Sequence, residues 1–155
     1  MENLRAPELF IDKDGLWYAD GVLMINKEII KLFASHLKKS GHDKYHMDWQ
    51  NHLYPVRVED VPFFVPSLTG QDGQLIIQLY DGRRFPLPTG NIILKNNIPY
   101  ISLFWQRDTK LSRPSYAELC KNLIERDGHY YIKYGDNEWL VDEMGPILLT
   151  VTAEP

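Results

Sequence analysis

The sequence predicts an α+β protein of two similar small lobes, each an antiparallel β-meander packed on one amphipathic helix. Three observations predict it. Asn26 to Lys39, NKEIIKLFASHLKK, places apolar residues at helical spacing. A second stretch, Ser112 to Arg126, does the same, and each is followed by three extended segments. The first lobe spans residues 1–70 with its helix at about 26–39, the second 71–155 with its helix at about 113–126.

In chain order, Leu9 to Ile11 and Leu16 to Ala19 read as strands, and Asp20-Gly21 turns the second of them into Val22 to Ile25. Asn26 supplies a helix N-cap. Ile29, Ile30, Phe33, Ala34 and Leu37 then form one stripe opposite Lys27, Glu28, Lys31, Lys38 and Lys39, the last two suiting the negative end of the helix dipole. Lys44 to Asp48 and Leu53 to Val58 flank a Gln50-Asn51 turn. Val61 to Val65, bracketed by Pro62 and Pro66, reads as an edge strand, because proline cannot donate to a ladder. Ser67 to Gly73, rich in turn formers, marks the boundary between halves.

Gln74 to Tyr80 and Arg84 to Leu87 form a hairpin about Asp81-Gly82, and Asn91 to Lys95 and Ile98 to Trp105 another about Asn96-Asn97. The second helix carries its stripe on Tyr116, Leu119, Cys120, Leu123 and Ile124, with Asp127-Gly128 closing it. Tyr130 to Tyr134, Glu138 to Val141 and Ile147 to Val151 follow as strands. Ile30, Phe33, Ala34 and Leu37 align with Tyr116, Leu119, Cys120 and Leu123 at a constant offset, Tyr45 with Tyr130 and Pro62 with Pro146, which reads as an internal repeat.

The segments DGLWYADGVLMI, KLFASHL, KYHM and VRVEDVPFFV, and later IPYISLFWQRDTKLSRPSYAELCKNL, resemble the bacterial family called domain of unknown function 1285. The match covers about two thirds of the chain and is carried by the order and spacing of its motifs, including Ser112-Arg113-Pro114 and Tyr116, Glu118 and Leu119. The resemblance implies a two-lobed α+β fold in a cytosolic bacterial protein, with no catalytic residues to carry over. It also departs at one point: where the family tends to show Thr-Pro-x-Glu, this chain has Trp49-Gln50-Asn51-His52.

The net charge of −4 is spread evenly along the chain, and the densest basic runs are only Lys38-Lys39 and Arg83-Arg84. That argues against a nucleic-acid partner. The single cysteine, Cys120, forms no internal disulfide, and no signal-peptide pattern or membrane-length apolar run is visible. A cytoplasmic protein away from membranes is expected.

His42, His46 and His52, with Asp43 and Asp48, supply metal-ligand residue types. Their spacing is irregular, so a small metal-dependent hydrolase using the His42 to His52 segment is the alternative reading, and the main reading holds no metal and no cofactor. Glu59-Asp60 and Asp142-Glu143 read as solvated strand corners rather than acid/base pairs. Cys120, inside an apolar stripe, reads as core filler. Arg113 precedes a helix, where anions are favoured, although a salt bridge to Asp108 or Asp127 explains it as well.

The aromatic surplus, four Trp and nine Tyr, exceeds what a core of this size needs. The expected function is therefore a non-enzymatic module binding a small ligand or a protein, with a homodimer through exposed strand edges as one form of partner. Trp49, His52, Trp105, Arg113, Tyr131 and Trp139 are the ligand-binding candidates, and no residue is assigned a catalytic role. Weak single-stranded RNA binding through stacked aromatics is the third reading.

Overall fold

Residues 6–144 are described by a computed structural model. Short strands alternate with tight turns from the start: β1 (Leu9–Ile11), β2 (Trp17–Ala19) and β3 (Val22–Leu23) lead into α1 (Lys27–Ser35), then β4 (Leu37–Gly41), β5 (Lys44–Trp49) and β6 (His52–Val58). The chain continues through β7 (Phe63–Val65), β8 (Ser67–Gln71), β9 (Gln74–Gln78), β10 (Arg84–Pro86), β11 (Ile92–Lys95), β12 (Ile98–Ile101) and β13 (Thr109–Leu111). It closes with α2 (Arg113–Cys120), β14 (Leu123–Arg126), β15 (His129–Tyr134) and β16 (Asn137–Met144). The Ile147 to Val151 strand read from the sequence lies outside the described residues.

The expected architecture of two lobes, each a meander on one helix, is corrected by this arrangement. The described residues hold sixteen strands against two helices, in three sheets of six, three and seven strands. By contact density the chain up to Pro62 forms one compact unit together with Tyr80–Arg83. Phe63–Leu79 and the chain from Arg84 onward form a second.

Both helices are shorter than their apolar stripes suggest. α1 starts where Asn26 caps it, its side-chain oxygen accepting from the N–H groups of Glu28 and Ile29 at 3.0 and 3.2 Å. It ends at Ser35, whose hydroxyl donates to Leu32 O at 2.8 Å, and His36 Nδ1 lies 2.9 Å from the same oxygen. Leu37 then pairs with Met47, so Lys38 and Lys39 sit on a strand rather than at a helix end. Leu37 is buried on this strand, and its spacing of three residues from Ala34 fits a helix as well.

The same substitution of strand for helix occurs after α2. Leu123 and Ile124 pair with Ile132 and Tyr131 in β14–β15, and Leu123 is 41% exposed rather than core. Asp127-Gly128 is a hairpin turn, not a helix stop, with φ of 55° and 79°. Asp20-Gly21, Gln50-Asn51, Asp72-Gly73 and Asn96-Asn97 likewise have both φ positive, the conformation that joins right-twisted antiparallel strands in two residues. Ser67–Gln71, at the expected boundary, is a strand because Leu68 is buried and pairs with Ile77. Ile98 to Trp105 is strand only as far as Ile101.

The six-stranded sheet runs β3-β2-β1-β6-β5-β4, and the seven-stranded sheet β14-β15-β16-β11-β12-β13-β7. Setting β7 aside, the second order is the first reversed, and the ladders match. Leu37 faces Met47 as Leu123 faces Ile132, and Tyr45 faces Val56 as Tyr130 faces Val141. The central parallel junctions correspond too, Leu9 with Val56 and Ile92 with Val141. Even the helix exits agree: His36 N–H donates to Phe33 O and Asp48 N–H to His36 O, as Asn122 N–H does to Leu119 O and Lys133 N–H to Asn122 O.

The first core collects Leu9, Ile11, Trp17, Ile30, Ala34, Leu37, Met47 and Val56 on one sheet face. In the second unit Ile92, Ile101, Leu111, Leu119, Ile132 and Trp139 are buried. There α2 packs against β8, and the buried Ser115 hydroxyl donates to Val65 O at 3.0 Å. Among the described residues no helix is long and apolar enough to cross a membrane.

Candidate functional site: an acid-anchored aromatic loop

The two matching sheets differ most between their second and third strands. Asp20-Gly21 makes the whole connection from β2 to β3, whereas β12 reaches β13 through Ser102 to Asp108. That longer connection is the candidate site.

Asp108 organises it. Its carboxylate is almost wholly buried, and Oδ1 accepts from Leu103 N–H at 2.8 Å while Oδ2 accepts from the N–H groups of Phe104 and Trp105 at 2.9 Å each. Thr109 Oγ1 donates to Oδ1 at 3.0 Å. Three successive backbone donors on one ionised acceptor make a compact anion nest, and charge-assisted bonds of this kind are the strong ones. Arg107 closes the loop with φ of 48° and donates its N–H to Ser102 Oγ at 2.8 Å.

The loop carries an aromatic cluster. Trp105 stacks on Phe63 at 6.0 Å and 18°, Phe104 meets Phe63 edge-on at 5.3 Å, and Phe85 meets Phe104 at 5.5 Å and 88°. Edge-to-face and offset geometries of this kind are favourable for aromatic quadrupoles. Phe63 is buried, Trp105 and Phe85 are half-buried, and Phe104 remains 45% exposed. Phe104 thus keeps part of its ring exposed on a backbone that Asp108 anchors.

The six candidates from the sequence fall in several places. Trp49 and His52 face each other across the β5–β6 ladder in the first unit, where Trp49 packs edge-on against His36 at 5.0 Å and His52 tilts against Tyr54. Trp105 lies in the anchored loop. Tyr131 and Trp139 point to opposite faces of their sheet. Tyr131 lies under the Arg126 guanidinium at 4.4 Å, and Arg126 also pairs with Glu138 at 2.7 Å. Trp139 is 4% exposed and donates its ring N–H to Pro88 O at 2.8 Å, which makes it a core residue. Arg113 is exposed at the first position of α2, and the Asp108 carboxylate expected to pair with it is taken by backbone N–H groups instead.

The histidine segment is also dispersed. His46 and His52 lie on opposite faces of the β5–β6 hairpin, and His42 sits in the preceding turn beside Asp43. Among the described residues no group of three or more His, Cys, Asp or Glu side chains is placed to hold a metal ion. Glu59 accepts from the Lys13 N–H at 2.9 Å, and Asp142 and Glu143 are exposed on β16.

Cys120 is half-buried rather than core, one turn after Tyr116 on α2. Burial, then the charge and hydrogen bond of the Cys120 sulfur, push the Tyr116 hydroxyl from 10.0 up to about 12. The folded chain therefore holds this proton where the unfolded chain releases it. Stability is full below pH 10 and declines as pH rises from there toward 12. Following phenolate absorbance through that range is expected to show a lagging phase that includes Tyr116, and Tyr116→Phe is expected to shrink that phase and remove part of the alkaline loss of stability.

Sequence reading selected Trp105 by residue type but missed Phe104 and Asp108. A signal was present in Ser102-Leu-Phe-Trp-Gln-Arg-Asp108: an Asp closing a run of aromatics and followed by Thr is a backbone-capturing acid.

No family model matches the sequence, and no curated protein does. Solved structures do match. A DUF1285 family protein from Silicibacter pomeroyi superposes with a TM-score of 0.71 over 92% of this chain and 84% of that one, at 18% identity. A DUF1285 family protein from Shewanella baltica gives 0.63 over 74% of this chain and 91% of that one, at 24% identity. At such identities the likeness is one of fold, and it agrees with the resemblance carried by the sequence motifs: the chain has a DUF1285-like fold.

Proposed function

We propose that the chain is a non-enzymatic, cytoplasmic binding module that captures an apolar segment of a protein partner on the Phe104–Trp105 loop. The observation that carries this reading is the pairing of a 45% exposed Phe104 with a backbone clamped by the buried Asp108 carboxylate. Rings with few rotatable bonds on a preorganised loop lose little entropy on binding, and such side chains dominate interface energies. The exposed Gln106 and Arg107 beside them supply a polar rim.

A peptide-display selection against the full chain tests it. Selected peptides are expected to bind Phe104→Ser at least about tenfold more weakly, a loss of roughly 1.4 kcal/mol, with the variant still folded by circular dichroism although its melting temperature falls with the lost ring contacts to Phe63 and Phe85. Peptides that bind wild type and Phe104→Ser equally, or a selection yielding no Phe104-dependent binder, would overturn the proposal.

A further inference from the structure

The two matching sheets end differently. Following the ladders outward from Leu9–Val56 and Ile92–Val141 puts Val22, Leu23 and Met24 at the positions of Thr109, Lys110 and Leu111. In the second sheet Thr109, Lys110 and Leu111 are 0%, 8% and 2% exposed, because β7 runs parallel beside them with Phe63 level with Thr109 and Val65 with Leu111. In the first sheet β3 is the last strand among the described residues, and Val22 and Leu23 are 69% and 43% exposed.

The helices repeat the contrast. Matching N-caps Asn26 and Ser112 put Ile29 where the other helix has Ser115. Ser115 is buried and donates to Val65 O in β7, whereas Ile29 and Leu32, neighbours on one helix face, are exposed. An apolar strand edge of this kind is normally blunted by charge, proline or a covering element.

The second sheet shows what such an edge takes. β7 is an extended apolar tripeptide, Phe63-Phe64-Val65, with Phe63 and Val65 buried. Phe63 N–H donates to Asp108 O at 3.2 Å and Ser112 N–H to Val65 O at 3.0 Å, the two ends of a parallel ladder. In the first sheet Met24 N–H donates to Trp17 O at 2.8 Å, so the alternation of an antiparallel strand turns the N–H and C=O of Leu23 and the N–H of Ile25 away from β2. Gly21 O and Ile25 N–H then stand where Asp108 O and Ser112 N–H stand in the other ladder. The Gly21 end is also acidic: Glu8 and Asp20 are both exposed there, joined by Glu8 N–H to Asp20 Oδ1 at 3.0 Å and Asp20 N–H to Glu8 O at 2.8 Å.

We infer that β3 and α1 form a strand-addition site for an extended apolar segment of a partner protein, running parallel to β3 and preceded by a basic residue. The first and third apolar residues of that segment exchange backbone hydrogen bonds with Gly21 O, Leu23 and Ile25 N–H, and their side chains lie toward Val22 and Ile29 as Phe63 and Val65 lie toward Thr109 and Ser115. The middle residue turns its N–H outward. The basic residue comes level with Asp20, opposite in charge. This site is independent of the Phe104–Trp105 loop.

Titrating the full chain with the peptide Lys-Pro-Phe-Phe-Val-Ser, acetylated and amidated at its ends and followed by amide chemical shifts, tests the inference. The largest saturable shifts are expected at Leu23 and Ile25. Ile29→Asp, an exposed substitution in the first turn of α1, is expected to weaken binding at least about tenfold with the fold retained. Methylating the backbone nitrogen of the first or third apolar residue of the peptide is expected to weaken binding by a similar factor, and methylating the middle one to change it little. Asp20→Asn keeps the turn conformation and is expected to weaken binding about threefold at low salt only. No saturable shift up to about 1 mM peptide would overturn the inference. So would largest shifts at Leu103 to Trp105, which would place the peptide on the aromatic loop, or loss of binding on methylating the middle residue alone. Shifts of Leu23 and Ile25 that grow with protein concentration in the absence of peptide would make a second copy the occupant and overturn it as well.

Discussion

Asp108→Ala is expected to destabilise the chain by about 3–5 kcal/mol, measured by denaturant unfolding. The carboxylate serves three backbone N–H groups and a hydroxyl from an almost wholly buried position. Removing it strands the donors of Leu103, Phe104 and Trp105, and each unsatisfied buried donor costs roughly 1–3 kcal/mol, less whatever water recovers. In a chain of this size that is a fall in melting temperature of about 10 °C. Asp108→Asn keeps one acceptor but turns an amide NH₂ toward backbone donors, so it is expected to fall between wild type and Ala. The loop amides of Leu103 to Trp105 are expected to lose exchange protection in both variants. A melting temperature unchanged in Asp108→Ala would show that the aromatics hold the loop without the acid, and the preorganisation behind the proposed binding surface would then rest on packing alone.

Local chemistry was legible in the sequence and long-range pairing was not. Asn26 declared the first helix start because a cap acts on its own next three residues. Asp20-Gly21 and Asn96-Asn97 declared hairpins because their turn conformation is intrinsic to those residues. The helix ends were misread for the opposite reason: Leu37 and Leu123 leave the helix to pair with Met47 and Ile132, and their spacing from Ala34 and Cys120 fits either conformation. That misreading enlarged the helices and hid how far the chain is a β-protein. The alignment of Tyr45 with Tyr130 was visible, and the ladders place both opposite matching valines, Val56 and Val141.

The aromatics show the same division between residue type and context. Trp105 and Trp139 look alike in sequence, each among strand-forming neighbours, yet one stacks half-exposed on Phe63 while the other is buried and bonded. No pattern within a few residues separates them, because the difference is made by Pro88 and Phe63, both distant in sequence. Asp108 was read only as an ion-pair partner of Arg113, because acids are read first for ion pairs, whereas its partners are main-chain donors that every residue possesses.

Trp139→Ala is expected to cost about 3–5 kcal/mol, as for other large aromatic truncations in a packed core. Trp139 is 4% exposed and lies opposite the fully buried Ile132, so the cavity opens at the centre of the second core. Trp139→Phe fills most of that volume but leaves Pro88 O without the indole N–H that reaches it at 2.8 Å, which is expected to cost about 1–3 kcal/mol. Trp105→Ala removes a half-buried ring with water on one side, and about 1 kcal/mol is expected, mainly from the lost stack on Phe63. Denaturant titrations of the three variants, read by circular dichroism, are expected to rank them in that order. If Trp105→Ala instead proved the most costly, the aromatic loop would be part of the core that holds β7 in place, and Phe104 would be left as a single exposed ring, too small a surface to anchor a partner.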